Sequence, residues 1–462
     1  MLFTICELSR QIRDREISPV ELTQYCLVLI EKLNPTLNAY ITVSAKSALD
    51  QARRAEREIF GGDCRGPLHG IPIGLKDIID TAGTLTTAAS ALFKDRVPTE
   101  DAEVVRRLRA AGAVILGKQN LHEFAYGGSS MISFFGEVHN PWNTARVAGG
   151  SSGGSAASVA AALGFAAVGT DTAGSIRLPA AYCGVVGLKP TYGRVSARGV
   201  IPLSSSYDHV GPITNSVYDA ALMLQVLAGY DRCDPASIDA PVPNLVARFE
   251  QRPPHLRIGV PREFFFDGLD PEVGEAIERA IGLFGELHAE IREVKLKVST
   301  DRTLASAEAY AYHESFVARS PELYQPATLA RIQSGANISA DDALRARKEL
   351  EASRHAIQAI FEDVDVLLMP TVPVSPPVIA DLLRYPDNLR PQELIMLRNT
   401  RPFNVWGIPT ISVPCGLTKD GLPIGLQLAA APWREDVVLQ AAHAYERATE
   451  WHEKMPGAPR TT

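Results

Sequence analysis

The spacing of apolar residues changes along the chain and predicts its elements. Over the first sixty residues apolar side chains recur at helical spacing, and Ser18-Pro19-Val20-Glu21 has the form of a capping box with proline at the first helical position. From Leu68 to about Tyr230, short apolar runs alternate with glycine turns and alanine-rich segments. This alternation predicts an α/β sheet covered on both faces by helices.

The pattern changes again in the second half of the chain, where charged amphipathic helices are predicted before apolar strands return. We expect an N-terminal helical segment (1–60) and one α/β body (61–462) with a helical, more variable insert at about 232–362. Strands are predicted at 71–79, 113–116, 165–169, 256–260, 364–369, 410–413 and 424–428. Helices are predicted at 44–59, 101–111, 271–288, 303–318, 340–361 and 434–449, and after Ser152 and Ser216.

The composition narrows the possible partners. With 462 residues, of which 46% are apolar, the chain is long enough for a large core. A net charge of −7 and the lack of any Lys/Arg block argue against a nucleic-acid or anionic-membrane surface. Six scattered cysteines form no CxxC pair, and no uncharged apolar run reaches about eighteen residues. We therefore expect a cytoplasmic protein with no membrane span, no metal and no other cofactor.

The glycine- and serine-rich run Ala148–Ser155 is the strongest chemical signal in the sequence. A flexible linker is one interpretation, but the helix-forming residues Ala156–Ala162 follow at once. A phosphate loop is a second interpretation, although the Lys-Ser/Thr of a Walker motif is missing. The run also matches the G-x-S-x-G nucleophile elbow of an α/β-hydrolase, with Asp365 and His443 as partners, but no oxyanion motif precedes the serine.

A fourth interpretation uses two serines and a lysine. Lys76 lies in the apolar run Ile71–Ile79, and Ser175 lies in a second glycine-containing turn downstream of Ser151. A serine needs a base that takes its proton, and a lysine can be that base only in its neutral form. Burial lowers the pKa of a lysine, and activity near pH 7–8 needs a decrease of roughly 3 units. Alternation along a strand predicts that Asp77 faces away from Lys76.

Segments along most of the chain resemble the amidase signature family. The lysine lies in Gly74–Asp77, the first serine in Gly149–Ser155 and the second serine in Asp171–Arg177, with the spacing of that family. Further matching segments are Gly117–Phe124, Asn140–Trp142, Cys183–Arg194, Pro409–Gly416 and Asp420–Gln427. The resemblance implies the fold of that family, a central mixed β-sheet between helices with a helical insert, and the chemistry of an amidase.

The resemblance also implies a role for each residue of the site. It makes Ser175 the nucleophile, Ser151 the serine that relays the proton and Lys76 the base. It implies a cis peptide bond before Ser151. The oxyanion is expected to bind to the backbone N–H groups of Thr172, Ala173, Gly174 and Ser175. Supporting roles are expected for Ser152 and for an ion pair of Asp171 with Arg177.

An apolar loop before the glycine- and serine-rich run predicts the substrate. By its position in the family this loop borders the acyl pocket, and its candidate substrate-binding residues are Tyr126, Gly127, Met131, Phe134 and Phe135. Their character predicts a small uncharged amide, aliphatic or anilide, with extension to aryl carbamates (urethanes) and esters. The protein is then expected to be a free-standing monomer or homodimer that acts on a small molecule and binds neither nucleic acid nor a membrane.

Two other functions stay open in the sequence. One is the glutamine-hydrolysing subunit of a tRNA-dependent amidotransferase, which the chain resembles in Cys183–Arg194 and Val413–Gly416. That class binds the α-ammonium of glutamine through an acidic residue, and Leu397 stands at the corresponding position, which argues against glutamine. The other is a catalytically silent scaffold of the same fold, and the presence of the lysine together with both serines argues against it.

Overall fold

The computed structural model describes residues 4–247, 249 and 255–457. The strands are β1 (Tyr40–Val43), β2 (Pro72–Lys76), β3 (Val114–Gln119), β4 (His139–Asn140), β5 (Asn143–Val147), β6 (Ala166–Asp171), β7 (Val186–Lys189), β8 (His209–Thr214), β9 (Arg257–Val260), β10 (Glu290–Glu293), β11 (Val366–Pro370), β12 (Thr410–Leu417) and β13 (Pro423–Ala430).

The α-helices vary from one turn to five. They are α1 (Ile5–Arg13), α2 (Pro19–Leu37), α3 (Ala45–Phe60), α4 (Glu103–Ala110), α5 (Gly153–Ala160), α6 (Arg177–Cys183), α7 (Val217–Leu227), α8 (Arg262–Phe265), α9 (Pro271–Glu286), α10 (Thr303–Arg319), α11 (Pro326–Gln333), α12 (Ala340–Ala356), α13 (Ile360–Asp363), α14 (Ile379–Arg384), α15 (Leu389–Met396), α16 (Pro402–Val405) and α17 (Glu435–Arg447). Short 3-10 turns lie at Ala91–Phe93, Glu123–Ala125, Pro321–Leu323, Ile357–Ala359, Pro386–Asn388 and Trp451–Glu453.

Eleven strands form one mixed sheet in the order β1-β3-β2-β6-β8-β7-β12-β13-β11-β9-β10, and β4 pairs with β5 separately. The strands β3, β2 and β6 are parallel, as are β11, β9 and β10, whereas the pairs from β6 to β11 through the middle of the sheet are antiparallel. Helices α5, α6, α7, α9 and α17 pack against the sheet. The predicted α/β fold, a central mixed sheet flanked by helices, is confirmed.

The helix predicted from the capping box is α2. Ser18 Oγ accepts a hydrogen bond from Val20 N (2.9 Å), and the Glu21 carboxylate accepts one from Ser18 N (3.0 Å). Pro19 occupies the first helical position, where its missing N–H is not needed and its fixed φ suits the helix. The apolar pattern did not predict β1, β4, β5, β7, β8 and β10. Glycine and proline lie inside β8, and the edge strand β10 is polar, so neither has the pattern of a buried strand.

The carboxyl ends of β2 and β6 bring the candidate site together. Because these strands are parallel neighbours, their ends lie at the same edge of the sheet, with Lys76 closing β2 and Asp171 closing β6. Helix α5 packs on both strands through small, fully buried side chains. Its Gly154 must be glycine, because a Cβ there would lie 2.4 Å from Asn120 O.

The segment predicted as a helical insert, 232–362, contributes strands as well as helices. It holds α8 to α13, and its strands β9 and β10 extend the central sheet. Residues 248 and 250–254 of this segment, and residues 1–3 and 458–462 at the two ends, lie outside the described residues. The division into an N-terminal segment and an α/β body stays a prediction. Within the described ranges no helix is long and apolar enough to cross a lipid bilayer.

Candidate active site

Lys76 is fully buried, and its hydrogen bonds go to hydroxyl groups. Its Nζ lies 2.7 Å from Ser151 Oγ and 2.8 Å from Thr170 Oγ1. Burial lowers the pKa of Lys76 to about 7 because the charged amine loses its hydration, and the negative charges of Asp171 and Asp208 only partly oppose that change. A lysine with this pKa is neutral in a large fraction of molecules near pH 7, so it can accept a proton.

Ser151 lies in a buried turn rather than in an exposed loop. The peptide bond between Gly150 and Ser151 is cis, as the resemblance implies. Ser151 O accepts hydrogen bonds from His122 N (3.1 Å) and Ser130 Oγ (3.2 Å), which hold the turn in place. Because the whole run 148–155 is buried, its interpretation as a flexible linker is wrong.

Ser152 connects the two serine turns. Its backbone N–H donates to Ser175 O (3.2 Å), and its Oγ donates to Thr170 O (3.1 Å) at the end of β6. Its side chain therefore makes no cap for α5, although Ser152 stands at the N-cap position. Ser155 Oγ, in the first turn of α5, is buried with no hydrogen-bond partner in the part of the chain that the structure describes.

Asp171 organises the turn that carries Ser175. Its carboxylate accepts hydrogen bonds from Gly174 N (2.7 Å) and Ile176 N (3.1 Å) and from the Arg177 guanidinium (2.9 and 3.0 Å). Asp171 and Arg177 are both fully buried, so the predicted ion pair is confirmed. Burial by itself raises the pKa of Asp171, but the charge and hydrogen bonds of Arg177 hold it well below its usual range. The carboxylate thus stays charged and keeps the turn fixed.

The backbone N–H groups of this turn divide into two kinds. The N–H of Gly174 donates to the Asp171 carboxylate, which is buried and needs donors. Gly174 was expected to be an oxyanion donor, but its N–H is not free for that role. The N–H groups of Thr172, Ala173 and Ser175 have no hydrogen-bond partner among the residues described. Three donors beside the second serine therefore remain for a developing negative charge.

Four polar residues of the site were not predicted from the sequence. They make the following hydrogen bonds: Thr170 with Lys76 Nζ (2.8 Å), Asp208 with Thr172 Oγ1 (2.6 Å), Thr400 with Ala173 O (2.7 Å) and Asn404 with the Asp171 carboxylate (2.8 Å). Of these, Thr170 was identifiable in principle, because it lies directly before the matching segment Asp171–Arg177. The other three lie in segments that become neighbours only in the fold.

The residues of the alternative nucleophile elbow lie elsewhere and have other partners. Asp365 forms an ion pair with Arg257 at 2.8 Å, and the His443 ring packs on Phe249 with centroids 4.4 Å apart. Neither residue contacts Ser151. The interpretation as an α/β-hydrolase with a Ser–Asp–His arrangement is therefore wrong.

A narrow cavity of about 70 Å³ is lined by Ser175 and by the loop that was predicted to border the acyl pocket. Tyr126 and Gly127 line it, and their role in substrate binding stays a prediction. The other three candidate substrate-binding residues do not line it: Met131, Phe134 and Phe135. Met131 packs into a neighbouring apolar cluster, and Phe134 is 47% exposed. The apolar half of the loop thus belongs to the core and the surface, and it does not shape the pocket.

The cavity is cationic, whereas an apolar pocket was expected. Three arginines from separate segments line it, Arg302, Arg390 and Arg401, and no Asp or Glu is among the described residues that do so. Leu397, at the position considered for an acidic residue, also lines it. A guanidinium stays charged at neutral pH, so this pocket does not suit the uncharged substrate that was predicted.

The fold and the buried arrangement of a lysine with two serine turns define the class of protein. Residues 21–439 match the Amidase family, and the chain belongs to that family. Its chemistry is therefore that of an enzyme acting on carbon–nitrogen bonds.

The similarity to known proteins extends over nearly the full length of the chain. The A subunit of glutamyl-tRNA(Gln) amidotransferase from Geotalea daltonii is 43% identical over 480 positions, which cover 98% of each chain. Among solved structures, 6-aminohexanoate cyclic dimer hydrolase has a TM-score of 0.89 and 31% identity and covers 99% of both chains. The A subunit of glutamyl-tRNA(Gln) amidotransferase from Thermotoga maritima has a TM-score of 0.81 and 31% identity, covering 100% of this chain and 98% of that one.

These relatives correct two expectations. The prediction of a free-standing hydrolase of small uncharged amides is wrong, because the full-length matches at about 40% identity bear the name of an amidotransferase subunit. Aryl carbamates, urethanes and esters find no support in them either. The expectation that neither nucleic acid nor a partner chain is involved is also contradicted, because that name refers to a glutamyl-tRNA and to one subunit of a larger enzyme. Net charge describes one chain as a whole, and it does not report what that chain does inside a complex.

Proposed function

We propose that this chain hydrolyses the side-chain amide of glutamine as the amidase subunit of a tRNA-dependent amidotransferase. The observation that carries this proposal is the match, at 43% identity over 98% of both chains, to a protein named as the A subunit of such an enzyme. The site supports it, because a buried lysine, two serine turns and three unbonded N–H groups lie at one edge of the sheet.

In the first half of the reaction Ser175 Oγ attacks the carbonyl carbon of the amide. Its proton passes to Ser151 Oγ, which gives its own proton to the neutral Nζ of Lys76, 2.7 Å away. The carbonyl oxygen becomes negative, and the N–H groups of Thr172, Ala173 and Ser175 stabilise it. Each donor of this kind lowers the barrier by about 2.7–4 kcal/mol.

Collapse of the tetrahedral intermediate then breaks the carbon–nitrogen bond. The proton on Lys76 returns through Ser151 to the nitrogen, which leaves as ammonia, and an acyl ester on Ser175 remains. A water molecule attacks this ester while the same relay takes its proton. The relay returns that proton to Ser175 Oγ as the ester bond breaks, and glutamate is released. In an amidotransferase the ammonia is the product that is passed on to the glutamyl-tRNA.

The charge of the cavity fits a substrate with a carboxylate. Arginine binds carboxylates through paired N–H groups, and glutamine carries a carboxylate at the end of its acyl chain opposite the amide. The three lining arginines, Arg302, Arg390 and Arg401, therefore support glutamine over a neutral amide.

The test is release of ammonia from L-glutamine by the purified protein. We compare the wild type with Ser175→Ala and with Ser47→Ala, a matched variant at an exposed position on α3. We expect release by the wild type and the Ser47 variant, and a rate at least about 10⁴-fold lower for Ser175→Ala. Equal rates for the two variants, or no release from glutamine by the wild type, would contradict the proposal.

Two further measurements separate this function from a silent scaffold. A fluorophosphonate probe is expected to label the wild type at Ser175 and to leave Ser175→Ala unlabelled, whereas a scaffold reacts equally weakly in both forms. Co-expression with the other subunits of an amidotransferase is expected to give glutaminyl-tRNA from glutamyl-tRNA and glutamine. Formation of that product without Ser175 would show that another chain is the source of ammonia.

A further inference from the structure

Arg302 lines the cavity beside Ser175, and its guanidinium has no partner among the residues that the structure describes. It stands at the N-cap position of α10, where its side chain is partly buried. In the ranges that the structure describes, no group forms a hydrogen bond or an ion pair with its guanidinium. A partly buried guanidinium without an acceptor from the protein has lost part of its hydration. Such a group is ready for an anionic ligand.

The neighbouring Arg401 adds positive charge to the same space. Its Nη1 donates to Thr300 O (2.5 Å) and its Nη2 donates to Asp301 O, so its partners are neutral carbonyl groups. The Asp301 carboxylate is bonded instead to the backbone N–H (3.1 Å) and the hydroxyl (2.8 Å) of Thr303, on the exposed side. The charge of Arg401 is therefore held in position and is not neutralised by direct contact.

Glu393 is an acid in contact with this group of arginines, and its charge is already shared. Its carboxylate lies 2.9 Å from Arg331 and 3.3 Å from Arg390, and it also accepts a hydrogen bond from Ser129 Oγ (2.8 Å). Glu393 is fully buried and does not line the cavity. Two arginines share one carboxylate, so an excess of positive charge faces the substrate space.

We propose that Arg302, with Arg390 and Arg401 beside it, binds a carboxylate at the far end of the acyl group, and that the described residues lining the cavity include no acidic counterpart for an α-ammonium. Glutamine is then accepted through its amide and its carboxylate, and the ω-amide of a short unsubstituted dicarboxylic acid, which is glutamine without its amino group, is accepted at least as well. Leu397 lines the cavity with an apolar side chain, which suits a methylene group better than an ammonium. This inference rests on the proposed amide hydrolysis at Ser175.

Charge and size both support this class of substrate. Burial and the nearby charges of Arg401 and Arg390 lower the pKa of Arg302 to about 10, which still leaves it charged at neutral pH. A bound carboxylate supplies the missing acceptor and relieves the repulsion among the arginines, whereas an ammonium adds another like charge. The small volume, about 70 Å³, favours a short acyl chain.

Three amides of equal chain length separate the effect of the carboxylate from that of the ammonium: pentanamide, glutaramate (4-carbamoylbutanoate) and L-glutamine. Glutaramate has a carboxylate where pentanamide has its terminal methyl group, and glutamine has an α-ammonium in addition. For the wild type we expect a kcat/KM at least about 100-fold higher for glutaramate than for pentanamide, and equal or lower for glutamine than for glutaramate. Pentanamide cleaved as fast as glutaramate, or glutamine cleaved about tenfold faster than glutaramate, would overturn the inference.

A binding measurement tests the role of Arg302 without turnover. Glutarate is titrated into Ser175→Ala by calorimetry, and the titration is repeated after adding Arg302→Gln. The matched control is Arg319→Gln at the opposite end of α10. We expect Arg302→Gln to raise the Kd at least about tenfold, Arg302→Lys to restore part of the affinity and the control to have no effect. Equal affinity of Arg302→Gln and the control would overturn the assignment.

If Arg302→Gln disturbs the structure of the cavity, it weakens the binding of pentanamide and of glutarate to the same extent. Loss of a carboxylate anchor weakens the binding of glutarate alone. If no amide is hydrolysed at Ser175, the proposed function fails, but the glutarate titration still decides whether Arg302 binds a carboxylate. The two proposals therefore fail in distinguishable ways.

Discussion

Two lysines are fully buried in adjacent strands of the central sheet, yet their partners differ. Lys76 ends β2 and is bonded to the hydroxyl groups of Ser151 and Thr170. Lys118 lies in β3, donates hydrogen bonds to Thr86 Oγ1 (2.8 Å) and Ile79 O, and forms an ion pair with the Asp77 carboxylate at 3.8 Å. Among the described residues no carboxylate forms an ion pair with Lys76, whereas Lys118 balances a buried negative charge.

The register of the strands explains this difference. Leu75 pairs with Lys118, so Lys118 and Asp77 lie on one face of the sheet while Lys76 lies on the other, as the alternation predicts. Burial lowers the pKa of both lysines, that of Lys76 to about 7 and that of Lys118 to about 8, although Asp77 opposes the decrease for Lys118. A perturbed pKa alone thus does not identify a base; the hydrogen bond to Ser151, the proposed proton relay, distinguishes Lys76.

The largest expected effect is that of Lys76→Met. The substitution removes the proposed base, so we expect ammonia release from the proposed substrate to fall by about 10³–10⁴-fold. The free energy of unfolding should stay within about 1 kcal/mol of the wild type or rise, because the amine removed has hydroxyl groups and no carboxylate as its bonded partners. Retention of more than about a tenth of the activity would show that another group takes the proton.

The matching substitution in β3, Lys118→Met, should lower the stability of the fold. It leaves Asp77 buried without its cation, and we expect the free energy of unfolding to decrease by about 3–5 kcal/mol in urea titrations at pH 7, with kcat of the folded protein near that of the wild type. Adding Asp77→Asn removes the unpaired charge and should restore part of the loss. If Lys118→Met is as stable as the wild type, the two lysines do not differ in the way described.

The sequence predicted the residues that carry their own local signature. Lys76, Ser151 and Ser175 each lie in an apolar or glycine-rich segment of recognisable form, and the strands around them alternate with helices at the expected periods. The structure places the lysine and the first serine in hydrogen-bond contact and aligns the second serine turn beside them.

The cationic pocket was not predictable in the same way. Arg302 precedes α10, Arg390 lies in α15 and Arg401 precedes α16, and nothing in their local sequence distinguishes them from surface arginines. Only the packing of these segments over the edge of the sheet brings the three together. The apolar loop near the serines, which is adjacent in sequence, misled the prediction because Met131 and Phe134 turn away from the cavity.

The pH dependence of the rate should distinguish Lys76 from Lys118. Below its pKa of about 7 Lys76 is protonated and cannot accept a proton, so we expect kcat/KM to fall tenfold per pH unit there and to level off above that pH. Lys118, which holds no proton used in the reaction, should add no step, and Lys118→Met should keep the profile of the wild type. A midpoint near pH 10, the value of an ordinary lysine, would contradict the assignment of the base.

The smallest expected effect comes from a charge that lies near the base without touching it. Asp208 is buried, and burial raises its pKa to about 6, so it is charged at pH 7. Its charge raises the pKa of Lys76. Its oxygens accept hydrogen bonds from Thr172 Oγ1 (2.6 Å) and from the N–H groups of Leu203 (2.9 Å) and Ser204 (3.0 Å).

Asp208→Asn removes this charge and keeps the shape of the side chain. The amide oxygen can accept from the two N–H groups, and the amide nitrogen can donate to the Thr172 hydroxyl, so the turn that holds the oxyanion donors should stay in place. Without the negative charge the pKa of Lys76 decreases, and the midpoint of the kcat/KM profile should move to lower pH by a fraction of a unit. Comparison of the two profiles measures the shift. A move to higher pH would mean that Asp208 acts on the rate through the Thr172 turn and not through the charge of Lys76.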